Sequence, residues 1–162
     1  MKINPSIQTL DTTIIAGLNL EMNLVQNLTG QLWQSFGPHI SSIPDRKNNH
    51  KISLQIYPQN YFAHFNPKTS FIKWAGVEVK SSDNIPIGLE CMVIPEGLYA
   101  VFHYKGSSAD SSIFNYIYSQ WLPSSEYELD NRPHFEVLGD LYKNNDPDSE
   151  EDIWIPIKQK SA

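Results

Sequence analysis

One carboxylate stands inside an otherwise apolar, strand-forming segment of this chain. Glu136 lies within Pro133–Tyr142, with Phe135 before it and Val137 after it. In a strand, Glu136 and Leu138 point to one face, and their neighbours in the chain point to the other. A carboxylate held among apolar side chains is costly unless something pairs with it. Glu136 therefore either marks a binding site or faces water from an edge strand.

The remaining side chains give little support for metal or covalent chemistry. The five histidines show no HxxxH or HxH spacing, and the single Cys91 excludes an internal disulfide. Cys91 lies in an apolar run, which predicts a buried, inert thiol. No phosphate-binding loop and no Ser-His-Asp pattern is visible. We therefore expect no cofactor and no metal.

Composition and charge narrow the classes of partner. The chain has 162 residues, of which 40% are hydrophobic, and its formal net charge is -6. Direct nucleic-acid binding requires a basic face, so the acidic balance argues against it. No apolar run approaches the ~20 residues of a membrane span, and the N-terminal residues do not resemble a signal peptide. We expect a cytoplasmic protein without a membrane or nucleic-acid partner.

Apolar periodicity predicts two helices among several strands. Gly37-Pro38 should kink or end the first helix, and Pro123 should stop the second. Gly76, inside a strand, indicates a bulge or a close approach to the backbone, and Glu96-Gly97 is typical of a tight turn. The predicted strands are 12–20, 51–57, 71–79, 89–95, 98–104, the strand of Glu136 and 153–157, and the predicted helices follow the apolar stripes of residues 24–40 and 113–121.

The two halves of the chain repeat the same order of strand, loop, helix, strand, loop and strand. A shift of 85 residues places Leu28 on Ile113 and Leu32 on Ile117. This periodicity predicts pseudo-repeats at about 10–80 and 88–158 within one domain, each too small to bury its sheet alone. Chance alignment of two amphipathic helices is the alternative.

Five ordered segments carry a resemblance to a known family: Trp74–Val79, Gly88–Gly106, Tyr118–Leu129, His134–Leu138 and Glu151–Lys158. They resemble the GyrI-like effector-binding domains, which occur in AraC- and BmrR-type regulators and in the DNA gyrase inhibitor GyrI. Two departures from the usual motifs are Glu126, where glycine is usual, and Leu138, where tyrosine is usual.

This resemblance implies an α+β fold. Its duplicated strand-helix-strand-strand module would form two antiparallel sheets around a central groove, with helices packed outside. In drug-binding members, the glutamate matching Glu136 lies among aromatic rings and meets lipophilic cations. The aromatic insert Tyr61–Phe65 departs from the family and would cap or fill the groove. The ligand-binding residues implied are Glu136, Leu138, Trp154, Tyr57, Trp74 and Tyr104.

Only about ten residues precede the first predicted strand, and four follow the second pseudo-repeat, which favours a free-standing effector-binding domain. Its expected ligand is a small lipophilic or cationic molecule, and its expected role is multidrug-type sensing, sequestration or transcription-related regulation in a bacterium. A protein partner and a monomeric or homodimeric state remain open. Two alternatives are an inhibitor of a gyrase-type enzyme and a hydrolase of cyclopropane-containing compounds, in which Glu136 would be a general base.

Overall fold

The computed structural model describes residues 3–161, which form an antiparallel sheet with helices on its outer surface, so the α+β class is confirmed. Within this range, no helix is long and apolar enough to cross a membrane. The strands are β1 Ser6–Leu10, β2 Thr13–Met22, β3 Lys51–Ile56, β4 Phe71–Val79, β5 Glu90–Ile94, β6 Gly97–Lys105, β7 Tyr127–Leu129, β8 His134–Leu138 and β9 Glu150–Gln159. The helices are α1 Thr29–Phe36, a 3₁₀ helix Gly37–Ser42, α2 Ser112–Tyr116, a π-helical turn Ile117–Trp121 and α3 Leu122–Ser124.

A long two-stranded ribbon organises the sheet. β1 pairs with β6, and β2 pairs with β5, and the register continues unchanged across the short breaks between them, from Ser6↔Val101 to Gly17↔Glu90. The predicted tight turn at Glu96-Gly97 is therefore wrong. β5 and β6 do not pair with each other but form two arms of one bent strand.

The two halves of the chain share one sheet instead of the two sheets that the resemblance implied. The strand order is β1-β6-β9-β8-β3-β4-β2-β5, and the β3–β8 pair joins the halves. Because the ribbon contains both ends of this order, the sheet bends round into an open barrel. The core inside it brings Ile15 and Ile94 from one end of the order against Tyr99 and Val101 from the other.

Both helical segments pack on the outer face of the barrel, as predicted. α1 contributes to a cluster with Ala75 of β4, and α2 contributes to a cluster with Phe102 and Ile153 of β6 and β9. Strand register places Ala75, Ser53, Glu136, Ile153 and Phe102 in one row across the sheet. Glu136 therefore lies on the outer face, between the two helical clusters.

Several local predictions are corrected by the structure. The first helix was predicted from the apolar stripe of residues 24–40, but α1 begins only at Thr29. Leu24 lies before the helix and is 49% exposed. The α-helix ends at Phe36, where Gly37-Pro38 begins a 3₁₀ helix, as the proline suggested. The strand β1 was not predicted, and Cys91 is exposed rather than buried.

The prediction of a close approach at Gly76 is confirmed. Gly76 pairs with Gly17 across β4 and β2, and a Cβ added at Gly76 would lie 2.5 Å from Ile15 Cγ2. A side chain there would force the two strands apart, since such a contact is far shorter than packed carbons allow.

Candidate functional site

A polar strip runs along the outer face of the central strands, between the two helical clusters. Ser53 and Gln55 of β3 and Lys73 of β4 are all buried, and Lys73 is only 8% exposed. Glu136 of β8 is partly exposed and pairs in register with Ser53. Buried polar groups are uncommon in a sheet unless they are paired or have a function, so this strip is the candidate site.

Glu136 is partly exposed, yet its surroundings disfavour the charged carboxylate. Burial raises its pKa above the ordinary value, while the positive charge of Lys73 and the neighbouring Gln55 amide partly oppose this rise. Within residues 3–161, Glu136 is in no salt bridge with a nitrogen closer than 4.0 Å. A desolvated carboxylate without a close ion pair attracts a cation strongly, because little solvation remains to be lost.

Two charged groups, on β9 and β4, influence Glu136. Burial raises the pKa of Glu151 to about 7, and the negative charge of Glu136 adds to this rise. Burial lowers the pKa of Lys73, whereas both glutamates favour its charged form. Two carboxyl groups and one ammonium thus share a poorly hydrated region, which carries a net negative charge when all three are ionised.

Aromatic rings cluster around His134, which pairs in register with Gln55 of the polar strip. Tyr57 lies 4.9 Å from both Phe62 and His134, measured between ring centroids. Burial raises the pKa of Tyr57 and Tyr118 well above the ordinary value, and the negative charge of Glu136 raises both further. The rings therefore stand within electrostatic reach of Glu136 and present polarisable faces to a cation.

His134 takes part in the aromatic cover as a neutral ring. Burial lowers its pKa to about 3, and its Nδ1 lies 2.9 Å from the Tyr118 hydroxyl oxygen. The neutral imidazole fixes this tyrosine, and it adds no positive charge that would repel a cationic ligand.

The aromatic insert Tyr61–Phe65 packs against His134 at one end of the polar strip. Phe62 stacks on Tyr118 with ring centroids 4.3 Å apart, so a loop between β3 and β4 touches the helical segment of the second half. A pocket of about 440 Å³ lies beside this contact, lined among others by Tyr57, Tyr61 and His134.

The π-helical turn Ile117–Trp121 positions Tyr118. α2 has only five residues before the turn widens, and the wider turn changes which side chains face the sheet. Such turns often occur at functional sites. Ile117 is buried against the sheet, while Tyr118 meets Phe62 and His134.

Strand register separates the predicted ligand-binding residues into two groups. Tyr57 belongs to the aromatic cover, Leu138 follows Glu136 on the same strand face, and Tyr104 pairs with Glu151 on the outer face. Trp74 and Trp154 lie on the inner face with Phe135, where Phe135 and Trp154 stack at 5.3 Å. The structure does not bring these two tryptophans together with Glu136.

Sequence reasoning missed Lys73, Glu151, Tyr118 and His134 as members of the site. Lys73 gave a usable signal, because a lysine inside the apolar strand 71–79 is as unusual as Glu136 in its own strand. The other three residues gave no such signal. Within residues 3–161, no group of three or more His, Cys, Asp or Glu side chains could hold a metal ion.

Comparison with known proteins agrees with this architecture. The sequence profile of the family described as "Cass2: Integron-associated effector binding protein" matches residues 6–157. The chain belongs to this family. This effector-binding domain is also 32% identical over 130 residues to the transcriptional regulator BrlR of Pseudomonas aeruginosa. The match covers 79% of the chain, and the chain spans about half (46%) of the length of that curated relative.

Solved structures share the fold of this effector-binding domain at low sequence identity. The structure of SAV2435 bound to tetraphenylphosphonium has a TM-score of 0.74 and 14% identity, covering 96% of this chain and 94% of that one. The integron cassette protein VCH_CASS2 of Vibrio cholerae has a TM-score of 0.63 and 13% identity, covering 96% of each chain. At such identities these likenesses concern the fold alone.

Proposed function

We propose that this effector-binding domain binds small lipophilic cations in the groove between its two helical clusters, with Glu136 as the counter-charge. The observation that carries the proposal is a carboxylate on the polar strip that has no ion pair closer than 4.0 Å within residues 3–161 and lies within electrostatic reach of Tyr57 and Tyr118. Ring faces attract a cation, and the low local dielectric strengthens its attraction to Glu136.

The comparisons support this class of ligand and a regulatory role. SAV2435, which shares the fold, is a protein whose structure contains the lipophilic cation tetraphenylphosphonium. BrlR is a transcriptional regulator. We infer that the domain senses or sequesters cations as part of transcription-related regulation in the cytoplasm, as a monomer or homodimer. The gyrase-type inhibitor and the cyclopropane hydrolase stay predictions without an observation that favours them.

Lys73 and Phe62 both oppose ligand binding, one through its charge and the other through its position. Lys73 supplies the positive charge that partly balances Glu136 and Glu151 without ligand, so an entering cation competes with it. Phe62 stacks on Tyr118 over the same region, so a bulky ligand displaces it. In the bound state, the charge and rings of the ligand therefore take the places of the Lys73 ammonium and the Phe62 ring.

The test measures tetraphenylphosphonium binding by calorimetry for the natural protein and for Glu136→Gln, which keeps the shape and removes the charge. We expect Glu136→Gln to lose about 1.5–3 kcal/mol of binding free energy, the range of a hydrogen bond or contact to a charged group. The neutral compound triphenylphosphine oxide should bind both proteins alike.

The matched control is Glu21→Gln, which removes the same charge from an exposed position of β2. Tetraphenylphosphonium affinity should stay within twofold in this variant. Equal losses for the cation and the neutral compound in Glu136→Gln would mean that the substitution damages the groove, and no loss for either would exclude Glu136 from the site.

A further inference from the structure

Lys73 is a buried cation of the polar strip that has no partner of its own. The residue is only 8% exposed. Within residues 3–161, its ammonium lies in no salt bridge with an oxygen closer than 4.0 Å, and among the lysine side chains only that of Lys160 donates hydrogen bonds. A buried ammonium without a partner is costly, so an anionic group supplied by a ligand would stabilise it.

The Lys73 ammonium is not sealed from the groove. Within residues 3–161, the side-chain nitrogen atoms that lack both a partner and accessible surface belong to Arg132 and Trp154. The Nζ atom of Lys73 is not among them, so this unpartnered atom keeps some accessible surface. Register places Lys73 on the outer face, because it pairs with Gln55 of the strip, while its neighbour Trp74 belongs to the barrel core. A ligand on the outer face can therefore reach the ammonium.

Glu136 and Lys73 are opposite charges that the sheet holds apart. Glu136 pairs with Ser53, and Lys73 pairs with Gln55, so two strand spacings and two residues along a strand separate them. With strands about 4.8 Å apart and a rise of about 3.4 Å per residue, the two Cα atoms lie roughly 12 Å apart. Burial is the main influence on the pKa of both groups, and each charge then favours the ionised form of the other. The two charges therefore share one groove without forming a contact ion pair.

We propose that the groove takes a lipophilic zwitterion, an aromatic compound whose ammonium pairs with Glu136 and whose carboxylate pairs with Lys73. This inference rests on the cation binding at Glu136 proposed above and names a narrower class of ligand. A purely cationic ligand competes with Lys73 for Glu136, whereas a zwitterion gives Lys73 a carboxylate in exchange. The separation of the two charges favours a ligand with its ammonium and its carboxylate at opposite ends of a rigid aromatic body.

The experiment compares three biphenyl compounds by calorimetry at pH 7.5. The zwitterion is 4′-(aminomethyl)biphenyl-4-carboxylic acid, its primary carboxamide is the matched cation, and 4′-methylbiphenyl-4-carboxylic acid is the matched anion. We expect the zwitterion to bind the natural protein about tenfold to hundredfold more tightly than the carboxamide, which is the range of one contact between charged groups. The anion should bind most weakly, because it adds a negative charge without pairing Glu136.

Three variants assign the preference to Lys73. Lys73→Met should abolish it, so that the carboxamide binds at least as tightly as the zwitterion, whereas Lys73→Arg keeps the positive charge and should keep the preference. Lys51→Met removes an exposed lysine of β3 and should leave the ratio of the two affinities unchanged.

The carboxamide separates failure of this inference from failure of the proposed function. Equal affinities of the zwitterion and the carboxamide for the natural protein, or a preference that survives in Lys73→Met, would overturn the zwitterion. Cation binding would still stand in that case if Glu136→Gln weakens the carboxamide. If Glu136→Gln weakens neither compound, both proposals fail. The comparison in the natural protein decides the matter even when a variant does not fold.

Discussion

The two faces of the central strand pair β3–β8 differ sharply in chemistry. The inner face carries Leu54 and Phe135, which are buried in the barrel core. The outer face of the same strands carries Ser53, Gln55 and Glu136, and this glutamate lies within electrostatic reach of Tyr57 and Tyr118. The backbone hydrogen bonds serve both faces equally, so the difference lies entirely in the side chains.

This difference separates stability from binding. Apolar burial on the inner face stabilises the fold, since each buried aromatic or aliphatic side chain contributes about 1.5–3 kcal/mol. Burial of Glu136, Glu151 and Lys73 on the outer face gives no comparable gain, because desolvation of charges offsets their mutual attraction. The proposed role of the outer charges is ligand binding, so substitutions on the two faces should have different consequences.

The largest expected effect concerns the inner face. Phe135→Ala should reduce the free energy of unfolding by about 3–5 kcal/mol, because it removes a ring that contacts Tyr99 and Trp154 and leaves a cavity. Urea denaturation followed by circular dichroism measures this change. Glu136→Leu on the opposite face should change stability by less than about 1 kcal/mol or increase it. A larger loss for Glu136→Leu than for Phe135→Ala would contradict the separation of roles.

Much of this two-faced arrangement could be predicted from the sequence. Strict alternation in Lys51–Tyr57 and the apolar run of Phe71–Val79 identified the central strands, and the family motif identified Glu136. The ribbon could not be predicted, because the pairing of β1 with β6 joins residues far apart in the chain without a local signal. The resulting barrel closure decides which face is interior.

The composition of the candidate site depended on the same long-range information. Trp74 and Trp154 were suitable aromatic residues, but register sends them to the inner face. Lys73 and Glu151 reach the region of Glu136 only because β4, β3, β8 and β9 are neighbours in one sheet. Tyr118 depends on a π-helical turn, which no residue pattern indicated.

The second prediction tests the outer face through pH. The pKa of Glu151 is about 7 in the folded protein and 4.5 ordinarily, so between these values the folded state keeps a proton that the unfolded state loses. The contribution of Glu151 to the free energy of unfolding should therefore rise as pH falls from 8 to 5. Glu151→Gln should remove about 1–2 kcal/mol of this change relative to the natural protein.

The comparison with the variant is necessary because His134 acts in the opposite direction. Its pKa is about 3 in the folded protein and 6.5 ordinarily, so the unfolded state gains a proton first and acid destabilises the fold. Thermal melts of both proteins from pH 5 to 8 separate the two contributions. Identical pH dependence in the two proteins would mean that Glu151 titrates as an ordinary exposed carboxyl group.

The third prediction sharpens the role of the internal cation. Lys73→Met should bind tetraphenylphosphonium about tenfold more tightly at pH 8.5, because the ligand no longer competes with the lysine charge, a gain of about 1.4 kcal/mol. The gain should shrink at pH 6, where Glu151, whose pKa is about 7, retains a proton. Lys51→Met removes an exposed lysine from the same face of β3 and should have no such effect. Weaker binding by Lys73→Met at pH 8.5 would show that Lys73 supports the groove.

The smallest expected effect concerns the ring of Phe62 on the outer face. The inner face, by contrast, is a buried core. Phe62 stacks on Tyr118, so its displacement should limit the entry of a bulky cation. Phe62→Ala should increase the association and dissociation rates of tetraphenylphosphonium about threefold to tenfold, while Kd changes less than about threefold, because the variant loses one ring contact with the ligand and one with Tyr118. Stopped-flow fluorescence measures both rates.

Phe65→Ala is the matched control, since Phe65 is 57% exposed and its ring contacts Tyr61 rather than Tyr118. An unchanged association rate together with a faster dissociation rate, and hence a weakened Kd, would identify Phe62 as a fixed wall of the groove, because a wall contributes contacts without controlling entry.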